Sequence, residues 1–469
     1  MYNIICDDDK LHEECGVVGV YSNKPEIVSQ LAYYGLFSLQ HRGQESAGIA
    51  VKCGGGIEYH KGIGLVAEVF DDKILNNLIG GMATGHVRYS TTGDSLIQNA
   101  QPLVVKYRKG SIALSHNGNL TNTEALREML EDNGVVFQTS TDTEVIANLL
   151  ARNYKGDMVK AVKNIMEIIK GAFAFVVMTE KELIGIRDPF GLRPLCIGKR
   201  EDGYLFASES CAITAMGGTF IRDVEPGEIV VVNEEGITSI ASDRFVRRKS
   251  CIFEYIYFAR PDSNIDGINV YQTRFNSGIE LAKESPVEAD LVFSVPDSGT
   301  PAAIGYAQEL GIPYGLGLIK NRYAKRTFIE PNQALRDEGV KIKLSVLKEI
   351  VKDKRIVMID DSIVRGTTSK RIVQKVREAG AKEVHVRIAS PPVKYSCFFG
   401  IDTPFRRYLI GASKTEKEIE QFLEADSLQY LSPCGLLRAT GQKNGFCMAC
   451  LDGDYPMAVP NHDVQGGIE

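Results

Sequence analysis

The sequence lacks any uninterrupted apolar run of the roughly 18 residues that a membrane-spanning helix needs. Its first residues, MYNIICDDDK, are acidic where a secretory signal would be basic and then apolar, so we expect a cytoplasmic protein with no membrane partner. The net charge of −6 argues against nucleic acid as a partner. With 469 residues, 44% of them hydrophobic, the chain is long enough for two or three domains, each with its own core.

The sequence also lacks a second CxxC motif to complete a zinc ribbon with Cys447 and Cys450. Ten cysteines in a chain without a secretory segment favour free or metal-bound thiols over disulfides. A tetrahedral metal site would therefore have to recruit distant cysteines. Spacing alone leaves zinc, an iron–sulfur cluster and unliganded thiols open.

Cys15 begins an apolar, strand-like run behind a short polar leader. A thiol is a good nucleophile at neutral pH, and a free α-amine with a reference pKa of about 8 can act as its base. Cleavage before Cys15 would build both groups in one residue, with residues 1–14 as a propeptide. On position alone, a small buried core residue is the favoured interpretation of Cys15.

Four polar segments after Cys15 reverse that preference. Each lies beside apolar stretches, where a rigid scaffold can direct polar side chains into a site. The segments are LQHRGQESAG (39–48), TGHVRYSTTG (84–93), SHNGNL (115–120) and TSTDTEVI (139–146). With Cys15, they resemble the N-terminal-nucleophile glutamine amidotransferases in order and approximate spacing.

The resemblance implies a glutaminase site. Hydrolysis of the glutamine amide needs donors for an oxyanion, and the zwitterionic substrate needs a guanidinium and a carboxylate. The implied catalytic residues are the nucleophile Cys15 and the oxyanion donors Asn117 and Gly118. The implied glutamine-binding residues are Arg42, Arg88 and Asp142. For Arg42 the alternative of a structural ion-pair partner stays open.

The second half carries an apolar strand that ends in Asp360 and Asp361, followed by a Gly/Thr-rich turn and an amphipathic helical segment at 369–379. Backbone N–H groups at such a helix start are suited to hold a phosphate. The paired acids would take the ribose hydroxyls or a neighbouring Mg²⁺. The pattern resembles the phosphoribosyltransferase signature for 5-phosphoribosyl-1-pyrophosphate. An acidic turn after a buried strand would explain one aspartate but not the hydroxyl-rich loop.

Two further segments extend this predicted site. SVPDSGTPAA (294–303) contains Ser298, which by resemblance lies near Mg²⁺ and pyrophosphate. The basic stretch 319–333 resembles the loop that closes over the substrate in related enzymes. It departs from the pattern expected for that loop at Ala324 and Lys325. An ordinary solvated basic loop is the alternative interpretation. The implied substrate-binding residues are Lys320, Arg322, Arg326, Asp360, Asp361, Ser362, Arg365, Gly366, Thr367, Thr368 and Ser369. The implied Mg²⁺ site consists of Ser298, Asp360 and Asp361.

The sequence pattern divides the chain into two domains. Short alternating runs over residues 15–245 suit an α+β four-layer sandwich of antiparallel sheets between helices. Residues 246–469 alternate strand and helix patterns, which predict a parallel sheet with flanking helices, and the resemblance implies an α/β type I phosphoribosyltransferase domain. After about residue 415 we expect helix and then an irregular segment that returns to the metal site.

Together the halves resemble the glutamine phosphoribosylpyrophosphate amidotransferase family, in its propeptide-bearing, iron–sulfur form. Further matching segments are RDPFGLRPL (187–195), EYIYFARPDS (254–263) and EVHVRIASPP (383–392). The resemblance implies the first committed step of purine synthesis: glutamine, phosphoribosyl pyrophosphate and water give phosphoribosylamine, pyrophosphate and glutamate. It further implies Mg²⁺, inhibition by purine nucleotides and a homotetramer. The implied [4Fe–4S] ligands are Cys251, Cys397, Cys447 and Cys450.

Three alternatives stay open. A sugar-phosphate aminating enzyme would share the glutaminase half but has no use for the loop after Asp361. A non-catalytic nucleotide sensor would not need the glutaminase residues. A cysteine peptidase would need a histidine partner, for which His41, His86 and His116 are candidates.

Overall fold

The computed structural model describes residues 15–89, 96–107, 110–241, 247–321, 344–403 and 405–460. The predicted propeptide, residues 1–14, lies outside these ranges, as do Arg322 and Arg326 of the basic loop. None of the helices in these ranges combines the length and apolar character needed to cross a membrane.

The first half contains two antiparallel sheets, ordered β11-β9-β10-β1-β4-β2-β3 and β13-β12-β8-β7-β6-β5. Their strands are β1 (Gly16–Ser22), β2 (Ser46–Cys53), β3 (Gly56–Ile63), β4 (Met82–Arg88), β5 (Leu103–Tyr107), β6 (Gly110–Leu120), β7 (Gly171–Met178), β8 (Leu183–Arg187), β9 (Cys196–Arg200), β10 (Gly203–Ala207), β11 (Thr219–Asp223), β12 (Ile229–Asn233) and β13 (Gly236–Ile240).

Helices cover the outer faces of both sheets. They are α1 (Val28–Ser38), α2 (Val66–Val69), α3 (Asp72–Asn77), α4 (Thr123–Asp132), α5 (Asp142–Asn153), α6 (Met158–Met166) and α7 (Ser210–Ala215), with 3₁₀ turns at Pro25–Ile27 and Ile97–Asn99. Leu36 of α1 packs with Val18 on one sheet, and Leu150 of α5 packs with Phe173 on the other. Val17 and Val176 meet between the sheets. These four layers confirm the predicted α+β sandwich.

Two hydrogen bonds fix the sheets relative to each other. The Thr84 hydroxyl on β4 donates to the Ser115 hydroxyl on β6 at 2.9 Å. Two residues further along β4, His86 Nε2 lies 2.9 Å from the His116 carbonyl oxygen. Because these contacts advance along both strands in the same sense, the carboxyl ends of β4 and β6 lie at one end of the sandwich.

The second half of the chain contains a parallel sheet that is formed by only some of its strands. Its strands are β14 (Ser250–Cys251), β15 (Asn264–Ile265), β16 (Ile268–Asn269), β17 (Leu291–Ser294), β18 (Leu318–Lys320), β19 (Leu344–Val346), β20 (Arg355–Asp360), β21 (Glu383–Ile388), β22 (Ser427–Tyr430) and β23 (Phe446–Cys447). Its helices are α8 (Val270–Glu284), α9 (Thr300–Leu310), α10 (Lys348–Val351), α11 (Thr367–Glu378), α12 (Ile410–Ser413), α13 (Glu416–Leu423), α14 (Pro433–Thr440) and α15 (Ala449–Asp452), with a π-helix at Glu254–Phe258 and a 3₁₀ turn at Arg406–Tyr408.

Strands β17, β20, β21 and β22 pair in parallel in that order. Along β20, Val357 faces the core under α8 and α9, whereas Met358 faces the core under α11 and α13. Alternate residues of one strand therefore bury both faces, as expected for a parallel sheet between helices. The predicted α/β domain is confirmed.

Two local expectations were wrong. Helix α11 begins at Thr367, two residues before the predicted start, because Gly366 adopts a φ of +82° that glycine tolerates and ends the loop there. The segment after residue 415 is helical at α13 and α14, as expected, but strand β22 lies between these helices and completes the parallel sheet. Its partner β21 lies about forty residues earlier, so no local pattern reveals the pairing.

The first and last strands of the second half lie side by side. Strand β14 pairs in parallel with β23, with Ser250 opposite Phe446 and Cys251 opposite Cys447. The start of this half is therefore held beside a segment that lies almost two hundred residues later in the chain.

Candidate active sites and the junction between them

Cys15 lies at the start of β1, at the end of the sandwich where β4 finishes. The register pairs Gly16 with Val87, so Cys15 comes beside Arg88, the last residue of β4. Both side chains are buried, and the Cys15 Sγ lies 4.0 Å from the Tyr89 carbonyl oxygen. The structure thus brings together two of the predicted glutaminase residues.

Asn117 and Gly118 lie on β6 near the same end. The Asn117 side chain is 1% exposed, and its Nδ2 has no hydrogen-bond partner within the described part of the chain. A buried amide without an acceptor costs free energy unless something else accepts from it. Gly118 has a φ of +138°, and a Cβ there would lie 2.1 Å from the Ala172 carbonyl oxygen, so only glycine fits. The pair has the features of a hydrogen-bond donor site.

Asp142 is the first residue of α5 and is held from two sides. Its Oδ2 accepts from the Leu120 N–H at 3.0 Å, and its Oδ1 lies 3.3 Å from His116 Nδ1. Burial favours the neutral acid, but His116 and the Leu120 N–H outweigh it and hold the pKa of Asp142 below its ordinary value. Asp142 therefore stays ionised. Sequence reasoning missed this role of His116, although its position next to Asn117 was a signal.

The three histidines suggested for a peptidase are engaged elsewhere. His41 Nε2 lies 2.7 Å from Glu209 Oε1. Burial lowers the pKa of His86 to about 3, so its ring is neutral and bonds the His116 carbonyl. His116 itself pairs with Asp142. These contacts give the peptidase alternative no support.

Arg42 is buried at the junction between the two halves. Its Nε donates to Glu209 Oε1 at 2.5 Å, and its Nη2 donates to Glu254 Oε2 at 2.5 Å. Glu209 precedes α7 in the first half, Glu254 begins the π-helix of the second half, and Arg193 Nη1 lies 3.5 Å from Glu254. We call Arg42, Arg193, Glu209 and Glu254 the junction cluster. These contacts are those of an ion-pair partner, and direct glutamine binding by Arg42 stays a prediction.

The charge of Glu209 is maintained by its neighbours. Burial opposes ionisation, but Arg42 and His41 outweigh it and hold the pKa of Glu209 well below its ordinary value. The other carboxylate oxygen accepts from the Arg260 N–H at 2.9 Å and the Ser263 hydroxyl at 2.6 Å. Glu209 is therefore satisfied by groups from both halves of the chain.

Arg274 of α8 connects the junction to the second predicted site. Its Nε donates to the Tyr255 carbonyl at 2.9 Å and its Nη2 to the Ala259 carbonyl at 2.8 Å, which fixes the π-helix. Burial lowers the pKa of Arg274, and the charge of Asp361 acts in the opposite direction. This buried arginine, which the sequence did not reveal, faces both the acid pair and the junction cluster.

The acid pair lies at the carboxyl end of β20 with both side chains buried. The Asp361 N–H donates to Asp360 Oδ1 at 2.9 Å. The hydroxyls of Ser298 and Ser362 donate to the two Asp361 oxygens at 2.5 and 2.8 Å. The structure therefore assembles the three oxygen-bearing residues predicted to hold Mg²⁺.

The predicted phosphate loop runs from Ser362 to the start of α11, where Thr367, Thr368 and Ser369 occupy the first helical turn. The N–H groups of that turn have no partner within the helix itself. Lys320, at the end of β18, pairs with Asp297 at 2.8 Å, which brings its ammonium beside the Ser298 loop. The loop and Lys320 thus flank the acid pair.

Four cysteines from three parts of the second half line one cavity: Cys251, Cys397, Cys447 and Cys450. Leu192, Arg193, Phe399 and Tyr455 complete much of its wall. Burial, together with the charges that the other three would carry as thiolates, raises the pKa of Cys450 well above its ordinary value. In the described ranges, however, no three His, Cys, Asp or Glu side chains are gathered closely enough to bind a single metal ion.

Comparisons with known proteins agree with this arrangement. Residues 86–215 match the profile of the glutamine amidotransferase domain, and residues 276–390 match that of the phosphoribosyl transferase domain. The amidophosphoribosyltransferase of Archaeoglobus fulgidus is 53% identical over 456 residues, covering 96% of this chain and 100% of the relative. That of Bacillus subtilis is 52% identical, covering 96% and 95%.

A solved structure shares the whole architecture. The Bacillus subtilis glutamine phosphoribosylpyrophosphate amidotransferase, in complex with ADP and GMP, has a TM-score of 0.90 at 51% identity and covers 96% of this chain and 99% of that chain. Fold and sites thus define a glutamine amidotransferase joined to a phosphoribosyltransferase. The chain belongs to the amidophosphoribosyltransferase family. It catalyses the first step of purine synthesis, from glutamine and phosphoribosyl pyrophosphate.

The junction cluster generates a stability prediction. Arg42→Met would leave Glu209 and Glu254 buried without their shared counter-ion, and breaking a buried pair in this way costs about 3–5 kcal/mol. We expect the thermal unfolding midpoint, measured by calorimetry, to fall markedly. The control is Arg355→Met, which removes exposed ion pairs with Glu288 and Asp290 and should shift the midpoint little. Equal shifts for both variants would contradict the role assigned to the cluster.

Proposed function

We propose that Cys15, in a glutaminase domain of residues 15–245, releases ammonia that is used at the acid pair in residues 246–469. The observation that carries this proposal is the buried Nδ2 of Asn117, which has no hydrogen-bond partner among the described residues and lies at the end of the sandwich where Cys15 lies. The Cys15 sulfur attacks the side-chain amide carbon of glutamine. The Asn117 amide and the Gly118 N–H donate to the oxyanion that forms.

The α-amine of a mature Cys15 takes the thiol proton and passes it to the departing ammonia. Water then hydrolyses the thioester, which gives glutamate and regenerates the thiol. Arg88 holds the substrate carboxylate and the ionised Asp142 holds its ammonium. For Arg42, the contacts support an indirect role, in which its ion pairs fix the HRGQE segment beside Arg88.

Removal of residues 1–14 would supply that α-amine. Cys15 has a φ of +141°, a conformation that L residues rarely adopt and that a chain terminus does not have to maintain. This unusual backbone at the proposed cleavage point supports processing before Cys15.

The nucleophile is tested by Cys15→Ala. Glutamine-dependent synthesis should fall to background because the attacking thiol is gone, whereas synthesis from added ammonia should persist. Cys53→Ala, which removes a half-buried thiol at the far end of β2, is the control and should retain both activities. N-terminal sequencing of active wild-type enzyme should begin at Cys15. Loss of both activities in folded Cys15→Ala would refute the assignment.

At the second site, we propose that Asp360 and Asp361 bind the ribose hydroxyls and that the turn 362–369 binds the 5-phosphate. Lys320, Arg322 and Arg326 contact the pyrophosphate. The oxygen donors of Ser298, Asp360 and Asp361 suit a hard cation. Mg²⁺ bound there would neutralise the pyrophosphate as it leaves. Ammonia attacks the ribose C1, the C1–O bond to pyrophosphate breaks, and phosphoribosylamine forms after loss of a proton.

Ammonia has to travel between the sites before water protonates it. After Glu254, the π-helix between them is mostly apolar and buried. Tyr255 and Phe258 are almost inaccessible, and the Tyr255 hydroxyl donates to the Ile265 carbonyl at 3.0 Å. This packing supports a dry path across the junction. The aromatic residues Tyr323 and Phe328 of the basic stretch 319–333, which we also propose for the path, lie outside the described residues.

The acid pair is tested by Asp361→Asn. Synthesis should fall about 10²-fold or more with either glutamine or ammonia, a loss of the size seen when a group directed at the reacting centre is removed. Basal glutamine hydrolysis should remain. Glu349→Gln makes the same charge change on the exposed surface of α10 and should leave synthesis unchanged. Normal synthesis by Asp361→Asn would eliminate the proposed role.

We further propose that Cys251, Cys397, Cys447 and Cys450 hold a [4Fe–4S] cluster. The donor set suits iron–sulfur chemistry, and all four thiols line one cavity. The support for the cluster over zinc is this all-thiolate donor set together with the resemblance to the iron–sulfur form of the family.

The cluster is tested by metal analysis. Anaerobically purified protein should contain about four iron atoms per chain. Cys447→Ser should lower both the iron content and the soluble yield, because it removes a ligand from a buried cavity. Cys434→Ser, which alters an exposed thiol, should lower neither. Stoichiometric zinc in place of iron would overturn the cluster and retain the ligands.

We also propose inhibition by purine nucleotides, a homotetrameric assembly and a cytoplasmic location. The Bacillus subtilis structure in complex with ADP and GMP supports the first of these. The tetramer rests on the resemblance to the family, and the location is the expectation drawn from the sequence.

A further inference from the structure

A hydrogen bond joins the proposed oxyanion strand to the loop that carries Cys397. Asn119 lies on β6, two residues after Asn117, and its Nδ2 donates to the Phe398 carbonyl at 2.9 Å. Phe398 directly follows Cys397 in the chain. The bond therefore connects the glutaminase strand with the wall of the cysteine cavity, across 279 residues of sequence.

The same loop is held against the first half by two neighbouring contacts. Arg193 Nε donates to the Phe399 carbonyl at 3.0 Å. The Phe399 ring packs with Ala172 and Leu192. Ala172 is the β7 partner of Asn119 in the sheet. The loop is thus docked onto the strand pair that carries the proposed oxyanion residues.

Asn119 constrains the backbone on the C-terminal side of Gly118 through its bond to the Phe398 carbonyl. Gly118 has no side chain to restrict it and adopts a φ of +138°, outside the regular strand region. The peptide groups on either side of a glycine take their orientation from the residues that flank it. Asn117 and Asn119 are those residues, and Asn119 is anchored to the loop.

We propose that Asn119 is a positioning residue for glutamine hydrolysis: its bond to the Phe398 carbonyl fixes the Gly118 peptide, so the position of the cysteine-bearing loop sets glutamine turnover. The inference rests on the proposed oxyanion role of Asn117 and Gly118. It assigns the loop an effect on the first half-reaction and none on the chemistry at the acid pair.

The test is Asn119→Asp, which keeps the shape of the side chain, removes the donor and sets a carboxylate oxygen against the Phe398 carbonyl. The expected result is a fall of about tenfold in kcat for glutamine hydrolysis, since small displacements of catalytic groups have effects of this order. The KM for glutamine should change less than about twofold, because Arg88 and Asp142 are untouched. Ammonia-dependent synthesis and the alkylation rate of Cys15 by iodoacetamide should match wild type.

The matched control is Asn122→Asp. The Asn122 amide also donates to a carbonyl, that of Ile168 at 3.0 Å, but away from the cysteine-bearing loop. Its kcat for glutamine should equal that of wild type. An unchanged kcat in Asn119→Asp overturns the proposal. So does an equal loss of ammonia-dependent synthesis, which would indicate general structural damage.

A second variant removes a different hydrogen bond of the same loop. The Cys397 N–H donates to the Thr403 hydroxyl at 2.9 Å, and Thr403→Val removes that acceptor. If both contacts act through the position of the loop, the double variant should lose no more kcat than Asn119→Asp alone. Additive losses would show that Asn119 acts by another route, against the proposal.

Asn117→Ala distinguishes a failure of the oxyanion assignment from a failure of the positioning role of Asn119. Full glutaminase activity in this variant would remove the oxyanion assignment and the inference built on it. If Asn117→Ala loses activity and Asn119→Asp has the kcat of wild type, the oxyanion assignment is retained. Only the positioning role of Asn119 is then overturned.

Discussion

The junction cluster is the interaction on which the rest of the structure depends. Arg42 is inaccessible to water and is shared by Glu209 and Glu254, one from each half of the chain. Two buried carboxylates without a counter-ion would be strongly unfavourable, so neither half can separate without exposing or neutralising charge. The cluster is worth more as a constraint on relative position than as a source of net stability, because its members lose hydration when they are buried.

The junction cluster fixes the relative position of two sites that are built on different kinds of sheet. The glutaminase residues lie at one end of an antiparallel sandwich, where strand register brings Cys15 beside Arg88. The acid pair lies at the carboxyl end of a parallel sheet, where loops and helix starts collect. Arg274 donates a hydrogen bond to the backbone of the π-helix between them, and the charge of Asp361 acts to raise the pKa of Arg274. The charge of Asp361 therefore acts on an arginine that lies beside Glu254 of the junction cluster.

How much of the structure the sequence could predict depended on how far apart in the chain the interacting residues lie. The strand, turn and helix around Asp360 are contiguous, so their pattern revealed the site, and Asn117 with Gly118 stood out within one short segment. The partners of Arg42 lie 167 and 212 residues away, and those of Asn119 lie further still, so no local pattern indicates them. The same limit hid β22, whose pairing is made only in the folded sheet, and Arg274, which resembles any helical arginine in sequence.

The pairing of β14 with β23 has a consequence for the order in which the chain is made. A ribosome releases residues from the N-terminus onward, and domains fold as they emerge. The sandwich can form from residues that emerge early, but the second half needs Phe446 and Cys447 beside Ser250 and Cys251 before its boundary is complete. Its closing strand therefore leaves the ribosome long after strand β14. The face of the finished sandwich that receives the cysteine-bearing loop stays uncovered until that loop has been made.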